Sequence, residues 1–325
     1  MDAATGGSGA WNLHVRTSNL FDQGRRNRVT EAAAILIPKR RYFLADFREV
    51  AGDIRTYREL MFEFARRDIR IRYKQAVMGF GWAIFMPILI VISGVLIRVA
   101  MGQAAGAGVG RADIAGIALK GVGWAFFAGA VTFGTVVLTA NHNLISKVYF
   151  PREVLPFAAI LAQTFDTGIG LAALLLLLPF LGVVPHIAIL WAPLLLVLLW
   201  LLTAAVVVFL SCANLFFRDV KYIVQVVLTF GILFTPVFYE PAMMGPKGGW
   251  LMWLNPLTPI LEGLRLSVVT GHNLLVPLTE VTRKGAEVTA WHPASLLYTA
   301  AWAIGGLLIA VLVFHRSQAA FAENV

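Results

Sequence analysis

Long apolar runs divide this chain, and the polar stretches between them are short. Runs over roughly 82–101, 119–140, 155–182, 187–211, 222–238 and 294–314 approach or exceed the ~20 residues a helix needs to cross a bilayer. The pattern predicts an all-α membrane protein with six transmembrane helices. A different period precedes the first run. On a helical wheel of residues 57–74, Tyr57, Leu60, Met61, Phe64 and Ile71 share one side. Glu59, Glu63, Arg66, Arg70 and Lys74 take the other, and Asp68 falls inside the apolar arc. This predicts an N-terminal amphipathic helix joined directly to a span. Such a helix either anchors in the membrane interface or passes force from a cytosolic partner into the first span.

Within the runs, single residues stand out. Pro87 is expected to kink the first span unless it falls in the first turn. Arg98, near its far end, reads as a side chain snorkelling to headgroups. The second span is rich in Gly and Ala, which lets helices approach closely in lipid. In 141–153, Leu144, Ile145, Val148 and Tyr149 make one stripe of a short helix that Pro151 ends. Asp166 lies inside the third span, where it must pair with a neighbouring helix or face a polar path. Residues 239–293 carry Pro, Gly and Trp in pieces too short to span. There "NPLTPILEGLRLSVVTG" predicts a helix with Thr258 at its N-cap, Pro259 first and Gly271 past its end, with Glu262 reaching Arg265. Trp250 and Trp253 suggest a re-entrant dip into one interface. The organisation expected is an N-terminal extension at 1–53, the amphipathic helix and connection at 54–81, and a transmembrane domain at 82–325.

Composition narrows the function classes. The chain is 58% hydrophobic, 14% charged, and has a mean hydropathy of +0.75. A soluble domain carries about 25% charged residues. The net charge of +9 does not point to nucleic acid, because the basic residues sit beside and between spans as topology signals. With an internal N-terminus, 20 Lys and Arg fall inside and 5 outside, with Arg98 and Lys120 near span ends. Both termini are therefore expected in the cytoplasm. Residues 1–30 lack the apolar core of a signal peptide, and residues 31–53 suit a membrane surface or a partner. Cys212 is the single cysteine and reads as a packed thiol. No glycine-rich phosphate loop ending in Gly-Lys-Ser/Thr is present. The histidines, among them His142 and His315 at span ends, lack metal-ligand spacing, and no Ser/His/Asp set assembles. Neither catalytic nor metal-binding residues are expected, and no inverted repeat points to a secondary transporter.

Four stretches add a resemblance. "RDIRIRYKQAVMGFGWAIFMPIL" at 67–89 resembles the R-D-x-x-x-R-Y-K-x-x-x-x-G-x-x-W-x-x-x-x-P signature of permease subunits of type-2 ABC exporters of O-antigen, capsular polysaccharide and teichoic acid, the Wzm type. "NLISKVYFPREVLP" at 143–156, "NLFFRDV" at 214–220 and "NPLTPILEGLR" at 255–265 follow in the same order. The resemblance implies a homodimer of six-span subunits with two ATPase subunits at the cytoplasmic face. ATP and magnesium would then act on the partner, and this chain would need no cofactor. It implies that the amphipathic helix is an interface helix whose motif residues are Arg67, Asp68, Arg72, Tyr73, Lys74, Gly79, Trp82 and Pro87. It makes 141–153 a coupling helix, with Asn143, Leu144, Ile145, Lys147, Val148, Tyr149, Phe150, Pro151 and Arg152 at the ATPase. It makes 239–293 an external re-entrant region carrying Asn255, Pro256, Pro259, Glu262 and Arg265.

From both lines, ATP binding on the partners is expected to move the two levers and part the first and fifth spans for a lipid-linked glycan. Aromatics offer sliding contacts to sugar ring faces. Trp82, Phe85, Phe230, Phe234, Phe238 and Tyr239 are candidates, against plain packing. Arg66, Arg67, Arg70, Arg72 and Lys74 can meet an undecaprenyl pyrophosphate or simply anionic lipid. The expected place is the bacterial inner membrane. Two other readings stay open: a type-2 ABC permease for a lipid or small drug, and an integral membrane glycan-modifying enzyme.

Overall fold

A computed structural model of the protein describes residues 43–74, 79, 81–105, 108–148, 150–281 and 287–324. The readings of residues 1–42, of most of the connection at 75–80 and of Tyr149 lie outside them. The chain divides into two compact units, Met1–Asp46 and Phe47–Val325, and all the membrane-type helices belong to the second.

The second unit is a helical bundle. Its helices are α1 (Phe43–Thr56, which begins in the first unit), α2 (Arg58–Tyr73), α3 (Gly81–Ala105), α4 (Arg111–Ala140), the single turn α5 (His142–Ile145) and α6 (Val154–Leu177). After these come α7 (Ala192–Phe216), α8 (Val220–Phe234), α9 (Gly245–Trp253), α10 (Leu257–Leu264) and α11 (Ala294–Asn324). Among the described residues, five helical stretches are long and apolar enough to cross a membrane: Ile84–Met101, Arg111–Ala140, Val154–Leu181, Ile187–Phe216 and Ala294–Ser317. The run expected as a fifth span at 222–238 is a helix of only 15 residues, Val220–Phe234. Beyond it Thr235, Val237, Phe238 and Tyr239 continue without helix and are buried in protein. Non-helical backbone in a membrane protein is tolerable when it is enclosed and satisfied. The Thr235 N–H donates to the Gly231 carbonyl at 2.9 Å, and the Tyr239 carbonyl accepts from Lys120 Nζ at 2.7 Å.

α4 is the hub, packing against α3, α6, α7, α8 and α10. Its small residues make this possible: a Cβ on Gly134 would stand 2.3 Å from Val207 Cγ1. Close approach of this kind, rather than apolarity, holds helices together in lipid. The connection between α2 and α3 contains Gly79 at φ +49°, a conformation that explains why the motif has glycine there. Pro87 lies inside α3, beyond its first turn.

Three expectations are corrected. The molecule is not purely helical, because Leu278–Val281 (β1) and Glu287–Trp291 (β2) form an antiparallel hairpin between α10 and α11. Val288 and Ala290 alternate inward from β2, the period of a half-buried strand. α10 starts two residues before Pro259, and Thr258 is not its cap. The turn begins at Asn255, whose Oδ1 accepts the Leu257 N–H at 3.0 Å and whose carbonyl accepts the Thr258 N–H at 3.0 Å. The helix widens to a π turn at Arg265–Val269, and Gly271 follows at φ +70°, past the helix end as its position predicts. Ile71, assigned to the apolar face of α2, points outward and is 68% exposed, whereas Tyr57, Leu60, Met61 and Phe64 face the core.

Candidate functional site

The bundle has two ends, and each is closed by polar side chains. At the first end, the 141–153 loop meets α2. Ile145 and Phe150 turn inward, and the Phe150 ring packs on Phe64 at 5.7 Å between centroids. The single stripe predicted for this loop is therefore split. Ile145 is buried, Leu144 is partly so, and Val148 is exposed with Asn143 and Lys147. Pro151 and Arg152 are half-buried at the start of α6. Arg67 Nη2 donates to Asn141 Oδ1 at 2.8 Å and to Asp68 Oδ1 at 2.9 Å.

Farther along α2, the motif residues Arg72 and Tyr73 reach α6. Arg72 Nη1 lies 2.5 Å from Asp166 Oδ2 and donates to Gln163 Oε1 at 3.1 Å. The Tyr73 hydroxyl donates to Asp166 Oδ1 at 2.8 Å. The Arg72 guanidinium also lies over the Phe133 ring, 3.8 Å from its centroid. Asp166 is thus the anchor that ties α2 to the third span, and Arg67 and Arg72 are already engaged by protein. Arg66, Arg70 and Lys74 are exposed. His315 is held by protein: its Nδ1 is 3.1 Å from Glu153 Oε1, and its side chain is 8% exposed. Near it on α1, burial raises the Asp53 carboxyl above its usual range; Glu49 adds to this and His315 opposes it.

The second end holds a buried charge network. Lys120 Nζ donates to the Tyr239 carbonyl at 2.7 Å and lies 3.4 Å from Glu262 Oε2. Arg265 Nε donates to Glu262 Oε1 at 2.8 Å, the contact their spacing predicts, and Arg265 Nη1 is 3.6 Å from Glu240 Oε1. Arg98 does not snorkel; its Nη2 is 2.9 Å from Asp113 Oδ1 and 3.5 Å from Glu240 Oε1. One connected set of charges thereby joins α3, α4, the stretch after α8, α10 and its π turn. Burial raises the carboxyl of nearby Glu280, Glu240 adds to this, and Arg265 opposes it. Lys120, Glu240 and Asp113 escaped sequence reasoning. The signal was present in Lys120, which sits inside a predicted span and so demands a partner.

The candidate aromatics separate into two groups. Phe238 and Tyr239 are buried: Phe238 lies so close to Gly94 that a Cβ there would be 2.7 Å from its ring, and the Tyr239 hydroxyl donates to the Leu233 carbonyl. Trp82, Phe85, Phe230 and Phe234 are exposed on α3 and α8, with Trp82 and Phe85 edge to face at 5.6 Å. Among the described residues, no group of three or more His, Cys, Asp or Glu could hold a metal ion.

These ends, spans and motif contacts belong to a recognisable class. The sequence matches the ABC-2 type transporter family model over residues 59–269. The chain belongs to the ABC-2 type transporter family. It is similar to an O-antigen export system permease protein RfbA of Klebsiella pneumoniae, 23% identical over 271 residues that cover 82% of this chain and 94% of that one. It is also similar to a permease protein of the same name from Myxococcus xanthus, 26% identical over 211 residues covering 63% and 78%. The family match begins one residue after α2 does and ends with the π turn. It takes in both polar ends and makes the chain a multi-pass transporter membrane protein.

Proposed function

We propose that this chain is the membrane subunit of an ATP-driven exporter that moves a lipid-linked polysaccharide across the bacterial inner membrane. It works as a homodimer of six-span subunits with two ATPase subunits on the cytoplasmic side. α8 supplies ~22 Å of rise, and the enclosed extended stretch after it completes the fifth of the six crossings. The end carrying α2 and the 141–153 loop is the cytoplasmic one, with both termini there, and residues 239–293 are external. Its likeness to O-antigen export permeases supports a glycan cargo.

The observation that carries this reading is the joint at the first end. A push on exposed Asn143, Lys147 and Val148 moves Phe150 and Asn141. These bear on Phe64 and Arg67 of α2. α2 in turn is fixed to α6 through Asp166, and it leads past Gly79 into α3. One lever thus reaches two spans. Exposed Arg66, Arg70 and Lys74 stand at the same end to meet a pyrophosphate headgroup. Trp82, Phe85, Phe230 and Phe234 offer ring faces along the surfaces where two copies meet.

The test is the pair Lys147→Glu with Val148→Asp, both on exposed side chains that the fold does not use. Surface polysaccharide is expected to fall about tenfold, a typical size for a broken coupling. ATP hydrolysis by the assembled complex and the level of the chain in the membrane should persist. Full export by the double variant would remove the coupling role.

A further inference from the structure

A groove at the second end belongs to neither charge network. It lies between α9, β2 and the start of α11, with a cavity volume of about 380 Å³, and opens to the surface. Its walls include Trp250, Trp253, Glu287, Thr289, His292 and Ser295. Trp250 is 67% exposed and offers a large aromatic surface to whatever enters the groove. Trp253 is held from behind: its ring meets Trp291 edge to face at 5.9 Å, and the buried Trp291 Nε1 donates to the Leu274 carbonyl at 2.8 Å. His292 is set as well. Its Nδ1 accepts the Ala294 N–H at 3.1 Å, so that nitrogen carries no proton and the neutral ring's own N–H is at Nε2.

We propose that this groove is a saccharide-binding subsite that receives the glycan as it leaves the bundle, an inference that rests on the export reading. The volume lies within the range of small-ligand sites. A pyranose presents an apolar C–H face and a rim of vicinal hydroxyls. Trp250 and Trp253 match the face. The Glu287 carboxylate accepts hydroxyl protons, His292 Nε2–H donates, and Ser295 and Thr289 do both. Among the described residues no Lys or Arg lines the groove, and Glu287 repels phosphate, which favours the sugar over the headgroup of a lipid as occupant. Stacking tolerates sliding of one ring to the next, which suits a polymer in transit.

The test uses the full chain in lipid nanodiscs and the native surface polysaccharide, freed from its lipid by mild acid, with saturation-transfer NMR as readout. The unaltered chain should transfer saturation to sugar ring protons. Trp250→Ala and Glu287→Gln should each weaken binding about fivefold. Trp302→Ala, an exposed tryptophan on α11 that does not line the groove, should leave it unchanged. Equal binding by all three variants, or no binding by the unaltered chain, overturns the subsite. So does quenching of Trp250 by brominated lipid that polysaccharide fails to relieve, since the ring is then a membrane anchor. Fluorescence of the chain minus that of Trp250→Phe isolates this signal. The export reading is judged separately: deleting the chain should abolish surface polysaccharide, and its persistence would end that reading whatever the groove binds.

Discussion

α3 and α4 are consecutive helices with opposite fates. Over 18 residues, Ile84–Met101, α3 has a mean hydropathy of 2.4 with 6% of its residues buried, while an 18-residue stretch of α4 has 1.7 with 61% of its residues buried. The more apolar helix is the less covered. In water this ordering would be perverse, but lipid solvates Leu and Ile as well as a protein core does. What draws α4 inward is the fit of Gly123, Gly129 and Gly134 to Leu261, Gln163 and Val207, and the charge of Lys120, which lipid cannot satisfy. α3 keeps Ile88, Ile92 and Leu96 turned outward, a surface suited to lipid or a second copy.

The contrast can be broken at three strengths. The largest effect is expected for Glu262→Leu, which leaves buried Lys120 and Arg265 short of a carboxylate. The cost should be about 3–5 kcal/mol, seen as loss of the folded protomer in detergent. Survival with unchanged thermal unfolding would mean that the charges do not hold α4 in place. Next comes Gly134→Val, which drives a side chain into Val207. Overpacking there should cost ~1–3 kcal/mol, read by the same unfolding measurement. The smallest effect on the protomer belongs to Ile92→Ala with Leu96→Ala on α3. Unfolding should shift by less than about 0.5 kcal/mol, while cross-linking between copies in bilayers should drop. Destabilisation as large as that of the glycine variant would show that α3 is packed within one protomer.

Much of this was legible from periodicity. The apolar runs placed the long helices, and the wheel put Tyr57, Leu60, Met61 and Phe64 on the core side of α2, though it added exposed Ile71 and left out buried Ala65. Other features were hidden because charge interrupts a pattern that folding restores. α4 begins at Arg111 rather than near 119, because Arg111, Asp113 and Lys120 break the apolar run, yet Asp113 and Lys120 find partners in space. Arg98 looked like a snorkelling side chain, since its acceptors Asp113 and Glu240 lie 15 and 142 residues away. The hairpin was lost because strands of four and five residues fall below the length at which alternation declares itself. At the first end, Asp166 was legible as a buried charge that needed a partner, but Arg72 and Tyr73 could be named as its partners only in three dimensions.

The bond from Lys120 to the Tyr239 carbonyl has a consequence for timing. Its acceptor is main chain, so no rotamer change of Tyr239 can release it; either the Lys120 side chain withdraws or the stretch after α8 moves. Displacement of the stretch after α8 away from α4 therefore takes from a buried cation one of its two partners and leaves it Glu262 alone. Such a contact resists small excursions and gives way abruptly beyond a threshold. Parting at this seam should be a discrete snap rather than a gradual widening, which would keep a bilayer sealed between strokes.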